Sequence, residues 1–290
     1  MPELPEVQTM VNDLRRAVVG RRISFVWSDL PKRKLPELDG LAGARIEAVS
    51  RRGKNILFLL SRSRKKFLFV VHPRMTGHFL LGRWALSKNS RLRPRPLTSS
   101  GPMAEKVNSY LHLILAFADG EMLGLSDARK FSKLLFGPEK EVGALEYFGK
   151  LGPDALSPSL TLPEFRRRIY KNKPVKTVLL DQAIVSGIGN IYSDEILYAA
   201  GIDPRRQAAQ LSKEEAGRIY KAMRSILREA VKVRGTSFSD FRDLRGRKGG
   251  YGERRLVYGL SATPCRRCRT PIVSIKIGGR TSSFCPVCQK

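Results

Sequence analysis

The sequence predicts an α+β protein: an N-terminal helix, an antiparallel β-sandwich, a helical domain and a four-cysteine zinc-ribbon finger. Three observations carry this prediction. Apolar residues recur at helical spacing near the N-terminus and then alternate with a period of two as far as about Phe136. Helix-capping signals return after residue 158. Two Cys-x-x-Cys pairs lie within the last 26 of the 290 residues.

The first helix is predicted over Pro2 to Gly20. Pro5 suits its first turn and Gly20 suits its C-terminal stop. A basic loop is predicted over Ser87 to Lys106, because that stretch is rich in Arg, Pro and Ser. Strands are predicted at Asn55 to Leu60, Lys66 to His72, Leu111 to Phe117 and, after an Asp119-Gly120 turn, Glu121 to Leu125.

Helix signals of a different kind fill the second half of the chain. A linker rich in Gly and Pro ends at Pro158, and capping boxes follow at Thr161 and Ser212, each with a Glu three residues later. A tight turn at Gly187 to Asn190 leads into a helix that stops at Gly201. A glycine-rich stretch then precedes the cysteine pairs.

Positive charge dominates the composition. The chain has 54 Lys and Arg against 26 Asp and Glu, a net charge of +28, and 42% hydrophobic residues, which is enough for a folded core. Such an excess favours a polyanionic partner, most often nucleic acid. A generically basic protein is the alternative. No apolar run reaches the roughly 18 residues that a membrane span needs, and the acidic, proline-containing N-terminus is unlike a signal peptide. We therefore expect an intracellular protein.

The cysteine spacing C-x2-C-x16-C-x2-C is typical of a zinc ribbon, in which each pair supplies two thiolates. A disulfide framework is the less favoured alternative. Four thiolates leave no open position for a reactive water, so the zinc ion is expected to be structural. The predicted ligands are Cys265, Cys268, Cys285 and Cys288.

The first residues offer a nucleophile. Removal of Met1 would expose the secondary amine of Pro2, and an α-amino group with a pKa of about 8 is nucleophilic near neutral pH. An amine can attack a sugar C1′ and form a Schiff base, with Glu3 beside it as a general acid or base. On these residues alone, an ordinary first helical turn is the simpler interpretation.

Further motifs along the chain favour the nucleophile over an ordinary helical turn. The chain resembles the formamidopyrimidine-DNA glycosylases, bacterial base-excision repair enzymes for oxidised purines. The blocks that carry the resemblance are PELPEV (2–7), RRGK (51–54), MTG (75–77), DARKF (127–131), LGP (151–153), DQ (181–182), GIGNIY (187–192) with DE (194–195), VYG (257–259) and the terminal cysteines.

The resemblance implies roles for matching residues. Pro2 is similar to the family's nucleophile, Glu3 to the acid that protonates the opening deoxyribose, and Glu6 to a second acid supporting the site. Lys54 and the finger residue Arg280 resemble residues that contact phosphates beside the lesion.

Other matches concern the DNA itself. Met75, Arg129 and Phe131 resemble the wedge that fills the space of an everted nucleotide. Asn190 resembles a residue that grips the backbone, although a plain helix N-cap is the simpler interpretation. Glu195 resembles a residue that helps hold the site.

By this resemblance the segments are a catalytic β-sandwich domain (1–136), a linker (137–158), a helix–two-turn–helix DNA-binding domain (159–234), a lesion-recognition loop (235–256) and a zinc finger (257–290). The implied activity is that of a monomeric bifunctional glycosylase and abasic-site lyase, acting on double-stranded DNA in the bacterial cytoplasm at the nucleoid. The alternatives are the sister endonuclease VIII type, which favours oxidised pyrimidines, and a noncatalytic DNA binder.

Three features depart from the family pattern. Pro73-Arg74 stands where a leucine–glycine pair is more usual, next to the wedge methionine. Ala128 stands where proline is more usual, and the basic stretch around residues 90–100 is atypical. These departures bear on substrate preference and wedge geometry more than on reaction type.

Overall fold

The computed structural model describes residues 1–31, 38–86, 94–97, 100–237 and 240–290. The chain forms two compact units. The first unit is Met1–Gly149 with Arg234–Gly250, and the second unit is Lys150–Val233 with Tyr251–Lys290. Residues 87–93 and 98–99 of the predicted basic loop, and residues 238–239 of the predicted glycine-rich loop, lie outside the described residues.

Helix α1 (Leu4–Val18) opens the first unit and is shorter than the predicted helix over 2–20. It starts at Leu4 because Glu3 is its N-cap: the Glu3 side chain accepts from the Glu6 backbone, and the Glu6 side chain accepts from the Glu3 backbone. One face of α1 is fully buried and packs into the β-sandwich core. That face consists of Val7, Met10, Val11, Leu14 and Val18.

Two four-stranded antiparallel sheets follow helix α1. The first contains β1 (Ile23–Ser28), β8 (Leu111–Phe117), β9 (Met122–Ser126) and β5 (His78–Gly82), in that order across the sheet. The second contains β10 (Lys133–Pro138), β4 (Lys65–His72), β3 (Asn55–Arg62) and β2 (Arg45–Arg52). A two-stranded ribbon pairs β6 (Trp84–Ala85) with β7 (Arg95–Pro96), and two short helices, α2 (Glu139–Gly143) and α3 (Glu146–Gly149), come next.

All four predicted strands are confirmed in type: β8 has its predicted bounds, and β9 lies one residue later than predicted. The predicted strand Asn55 to Leu60 runs on to Arg62, and its neighbour begins at Lys65. Alternation is lost in β8, where all seven residues are buried. Apolar residues from both sheets form a shared core, as expected for a sandwich, whereas Leu111 and Ile114 of β8 belong to a separate buried cluster.

The second unit contains four α-helices. They are α4 (Leu162–Ile169), α5 (Val175–Leu180), α6 (Asn190–Ala200) and α7 (Lys213–Lys232), followed by the finger hairpin of β11 (Val273–Ile277) and β12 (Arg280–Phe284). The predicted stop at Gly201 is confirmed by its left-handed backbone, with φ of 70°. Among the described residues, no helix has the length and hydropathy that crossing a membrane requires.

The two predicted capping boxes differ. Ser212 forms a complete box with Glu215 at the start of α7. At α4, Thr161 accepts from the Glu164 amide, but the Glu164 carboxylate accepts from Arg167 and Arg168 instead of turning back to the cap. A charged partner holds a carboxylate more strongly than a neutral amide does, which explains the half-formed box.

A buried ion pair joins the finger hairpin to the helices of the second unit. Lys176 and Asp194 are 0% and 1% exposed, and the Lys176 Nζ lies 2.6 Å from Asp194 Oδ1. Asp194 also accepts from the Ser282 hydroxyl at 2.6 Å and the Ser283 amide at 3.0 Å. This carboxylate therefore ties α5, α6 and β12 together.

We expect Asp194→Asn to lower the free energy of unfolding by about 3 kcal/mol, because the buried Lys176 ammonium loses its counter-charge. Denaturant unfolding of the variant measures the loss. The double variant Lys176→Met/Asp194→Asn should recover part of it, because no unpaired charge remains. A loss of unfolding free energy in the double variant that equals or exceeds the sum of the two single-variant losses would contradict this account.

Candidate functional site

The N-terminus of the first unit places two carboxyl groups next to Pro2. Pro2 is buried, and Glu3 and Glu6 are 2% and 1% exposed. The Glu3 amide donates to Glu6 Oε2 at 2.8 Å. In the encoded chain the Pro2 nitrogen lies in the peptide bond to Met1, so it becomes an amine only when Met1 is removed.

The second oxygen of Glu6 holds the glycine-rich segment of the same unit. Glu6 Oε1 accepts from the Thr236 amide at 2.6 Å. A Cβ at Gly235 would lie 2.7 Å from that oxygen, so only glycine permits this approach. The preceding Arg234 binds Asp13 on helix α1. The start of the segment is thus anchored on α1, directly beside the predicted nucleophile.

Lys54 lies in the tight turn between β2 and β3 and is 6% exposed. Gly53 takes a left-handed conformation there, with φ of 58°. Arg51 holds the turn against helix α1 by donating to Gln8 Oε1 at 2.8 Å and to the Gly53 carbonyl at 2.8 Å. The turn therefore has a fixed position relative to the N-terminus.

His72, which the sequence analysis did not single out, ends strand β4. Its Nδ1 accepts from the Arg74 amide at 3.0 Å, so the neutral ring carries its proton on Nε2. Burial lowers the pKa of His72 to about 4, and the nearby charges of Arg74, Lys54 and Lys133 act in the same direction. In the sequence, its position at the end of an apolar strand and just before the MTG motif could have indicated that His72 belongs to the site.

The three residues predicted to form the wedge are presented at the surface. Met75 is 38% exposed and Phe131 is 49% exposed, so both side chains are open to solvent. The Arg129 guanidinium carbon lies 4.5 Å from the centroid of the Phe131 ring. Arg129 and Phe131 therefore form one stacked surface, on the loop between β9 and β10.

A buried hydrogen-bond network joins the loop between β4 and β5, which carries Met75, to the loop between β9 and β10. The Thr76 hydroxyl donates to Asp127 Oδ1, and the Ser132 amide donates to Asp127 Oδ2 at 2.7 Å. The Arg129 amide donates to Thr76 Oγ1 at 3.3 Å. Thr76 and Asp127 belong to the MTG and DARKF motifs, but nothing in the sequence indicates that their side chains pair.

In the second unit, Asn190 and Arg280 lie close together. Asn190 is the first residue of α6, and the N-cap is Gly189, so the plain N-cap interpretation is wrong. Its Nδ2 donates to the Thr281 carbonyl at 3.0 Å, which places it beside the exposed Arg280 at the start of β12. Its buried Oδ1 has no hydrogen-bond partner among the described residues.

Glu195 is fully buried in helix α6 and acts on the backbone of the VYG motif. Its two oxygens accept from the amides of Leu256, Val257 and Tyr258 at 2.8, 3.0 and 2.9 Å. Burial raises the pKa of Glu195, while these three donors oppose that effect by stabilising the ionised form. Within the second unit, Glu195 fixes the chain that leads into the finger.

The four cysteines fit a tetrahedral zinc ion. Their sulfur atoms all lie within 4.8 Å of one another, with Cys268 to Cys285 at 3.4 Å and Cys265 to Cys288 at 3.9 Å. Tetrahedral Zn–S bonds of about 2.3 Å require S···S separations of about 3.8 Å. The Tyr198 hydroxyl lies 3.2 Å from Cys265 Sγ and adds a second layer to the site. The predicted structural zinc site is confirmed.

Sheet architecture, helical domain and finger together define a zinc-finger protein of the base-excision repair type. Three family models match: "Formamidopyrimidine-DNA glycosylase N-terminal domain" over residues 1–134, "Formamidopyrimidine-DNA glycosylase H2TH domain" over 151–242, and "Zinc finger found in FPG and IleRS" over 263–290. The chain belongs to the formamidopyrimidine-DNA glycosylase family. The family and the fold class predicted from the sequence are both confirmed.

Individual relatives match from end to end. The formamidopyrimidine-DNA glycosylase of Heliobacterium modesticaldum is 37% identical, with 100% of both chains covered. A Lactococcus lactis Fpg complex with an abasic site containing DNA has a TM-score of 0.84 at 30% identity, covering 99% of each chain. A mutant of the same enzyme with a Fapy-dG containing DNA also has a TM-score of 0.84, at 30% identity and 100% coverage of each chain.

We expect His72 to remain neutral down to about pH 4. Because the unfolded chain takes up this proton near pH 6.5 and the folded chain does not, stability should fall as the pH drops through that interval, by about 3 kcal/mol at most. Titration of the three histidine rings by NMR measures the pKa, and His72→Gln assigns the signal. An inflection near pH 6.5 for His72 would contradict the predicted burial effect.

Proposed function

We propose that the protein is a bifunctional DNA glycosylase and abasic-site lyase that excises oxidised purines, 8-oxoguanine and formamidopyrimidines, from double-stranded DNA. The observation that carries the proposal is the N-terminal arrangement: Pro2 precedes two buried carboxyl groups, and Glu6 links the helix start to the glycine-rich segment. Family membership supports the glycosylase activity, which belongs to base-excision repair. We place it in the bacterial cytoplasm, acting at the nucleoid.

In the first step, the Pro2 amine that appears after removal of Met1 attacks C1′ of the damaged nucleotide. A bond forms between the Pro2 nitrogen and C1′ while the bond from C1′ to the base breaks. The base leaves with the electron pair and takes up the proton that the Pro2 nitrogen loses. Glu3 protonates the deoxyribose ring oxygen as the ring opens. The product is an iminium ion between Pro2 and the sugar.

In the second step, the iminium makes the C2′ proton acidic. Loss of that proton expels the 3′ phosphate, and a second elimination along the conjugated chain expels the 5′ phosphate. Water then releases the sugar fragment and restores the Pro2 amine. The buried carboxyl groups of Glu3 and Glu6 are the available acids and bases beside Pro2.

Access to C1′ requires the damaged nucleotide to leave the helix, which costs a few kcal/mol of stacking. The exposed side chains of Met75 and Phe131 are suited to fill the vacated space, because an apolar wedge offsets lost stacking. The Arg129 guanidinium, stacked on Phe131, faces the base left unpaired. The Thr76–Asp127 network keeps the wedge rigid.

Phosphate contacts supply the affinity. The net charge of +28 favours DNA, and Lys54 in the first unit and Asn190 and Arg280 in the second are the proposed backbone contacts. Zinc would supply no reactive water, because the thiolates of Cys265, Cys268, Cys285 and Cys288 would complete its coordination; its role would be to hold the hairpin that carries Arg280.

Protein whose N-terminus is Pro2, verified by mass, should form a covalent adduct with a duplex containing an abasic site or 8-oxoguanine in the presence of borohydride. Borohydride reduces the iminium to a stable amine, so the adduct reports the proposed intermediate. Gel analysis of the trapped complex measures it.

The control is a chain with an N-terminal extension that keeps the Pro2 nitrogen in a peptide bond. It should give no adduct. Absence of an adduct from the Met-processed protein would exclude the lyase mechanism, and retained binding without an adduct would identify a noncatalytic binder.

Arg280→Ala should weaken binding to every duplex sequence and reduce the slope of log K against log salt concentration by about 0.9, the value for one lost phosphate contact. Lys276→Ala is the matched control. Lys276 pairs with Thr281 across the finger hairpin, so it removes the same charge from the opposite face of the ribbon. Equal slopes for both variants would exclude a direct contact by Arg280.

A further inference from the structure

Residues 240–250 of the glycine-rich segment are packed into the first unit. The side chains of Phe241 and Leu244 are 5% and 4% exposed and belong to the core of the β-sandwich. The Leu244 carbonyl accepts from the Leu81 amide of strand β5 at 2.8 Å. This part of the segment is therefore a built-in element of the unit that carries the proposed nucleophile.

Arg242 joins the segment to the end of the predicted basic loop. Its side chain is 7% exposed, and its Nη2 and Nε lie 2.8 and 2.9 Å from Glu105 Oε2. Glu105 is the only acidic residue between Ser87 and Lys106. A buried guanidinium is costly unless a carboxylate pairs with it. The one carboxylate of an otherwise cationic loop is thus used to hold Arg242.

The neighbours of Glu105 fit against the same segment. Asn108 is 1% exposed, its Oδ1 lies 2.8 Å from His78 Nε2, and its Nδ2 donates to the Pro102 carbonyl at 2.7 Å. A Cβ at Gly246 would lie 2.9 Å from Asn108 Nδ2 and 3.0 Å from the Pro102 carbonyl. The end of the basic loop and the glycine-rich segment are therefore closely fitted to each other.

Hydrogen bonds continue from Arg242 to the start of the segment. Its Nη1 donates to the Phe241 carbonyl at 2.9 Å, and the Ser237 hydroxyl donates to the same carbonyl at 2.6 Å. Ser237 directly follows Thr236, whose amide donates to Glu6 Oε1. A shift of Arg242 would therefore be passed to the donor that holds a buried carboxylate, and a buried acceptor that loses its donor is costly.

We propose that Glu105 and Arg242 are positioning residues for the proposed reaction. Their ion pair fixes the glycine-rich segment, so that the Thr236 amide stays on the Glu6 carboxylate. This inference rests on the proposed function, because it takes Pro2, which lies beside that carboxylate, as the nucleophile. The basic loop, which departs from the family pattern, would then contribute to the reaction through its carboxylate. Neither member of the ion pair touches the DNA in this proposal.

Glu121 offers a matched control in the same unit. Its side chain is 38% exposed, against 40% for Glu105, and it also pairs with an arginine, 2.7 Å from Arg21. Arg21 follows helix α1, whose 15 residues separate its two ends by about 22 Å. Glu105→Gln and Glu121→Gln therefore make the same chemical change in similar ion pairs, one beside the segment and one at the far end of α1.

The test measures single-turnover rates on two duplexes, one with 8-oxoguanine and one with a preformed abasic site. Glu105→Gln should slow both reactions on the order of tenfold, because a small displacement of a catalytic group is costly in rate. Glu121→Gln should react at the wild-type rate, and Glu105→Asp, which keeps the charge, should recover most of the loss. Affinity for a duplex with a stable abasic analogue should be equal for Glu105→Gln and Glu121→Gln, because both remove one negative charge.

A double variant separates positioning from stability. Glu105→Gln/Arg242→Met leaves no buried charge unpaired, so its melting temperature should exceed that of Glu105→Gln. Its rates should stay low, because the link from Arg242 to the Phe241 carbonyl is lost. Recovery of both rates together with the melting temperature would reduce the ion pair to a structural role.

Other results would also overturn the inference. Wild-type rates for Glu105→Gln, or equal slowing by Glu121→Gln, would exclude a positioning role. Slower release of 8-oxoguanine at an unchanged abasic-site rate would mean that the segment acts on the damaged base and not through Glu6. Borohydride trapping of the wild type separates the two proposals: no adduct removes the proposed function, whereas an adduct with wild-type rates for Glu105→Gln removes only the positioning role.

Discussion

The Glu6 carboxylate is the interaction on which the first unit's candidate site depends. One oxygen accepts from the Glu3 amide and the other from the Thr236 amide, 230 residues further along the chain. Both oxygens are buried, so loss of either donor would leave a desolvated charge. The start of helix α1 and the start of the glycine-rich segment are therefore fixed by the same group. The proposed nucleophile, Pro2, would gain a defined position in this way, whereas a free chain terminus tends to fray.

Buried carboxylates have the same organising task in the second unit. Asp194 ties helices α5 and α6 to the finger hairpin, and Glu195 holds the amides of residues 256–258. The chain has only 26 acidic residues against 54 basic ones. Because several of these acids are used internally, they do not neutralise the cations at the surface. Placing acidic side chains in the interior leaves the surface positively charged, which favours a polyanionic partner.

The sequence was sufficient for the fold class, the strands and the zinc ligands, because each depends on local spacing. Two apolar runs of strand length, joined by a polar turn, indicate β3 and β4. The Cys265–Cys268 and Cys285–Cys288 pairs have the spacing of a single zinc site whatever lies between them. Helix ends were less accurate. The predicted helix over 2–20 lost two residues at its start, because the side chains of Glu3 and Glu6 cap it there. The roles of the individual site residues and the five-segment division stay predictions.

Pairings between distant side chains were beyond the reach of the sequence. Nothing local to Thr76 or Asp127 indicates that they meet. The bond between them forms because β4 pairs with β10 and β5 pairs with β9, which brings the two connecting loops together. The proposed wedge would have to keep its shape when it replaces a stacked base. If the inserted side chains moved away, the free-energy cost of unstacking would no longer be offset. Rigidity in these two loops is therefore the condition under which the exposed side chains of Met75 and Phe131 could act as the proposed wedge.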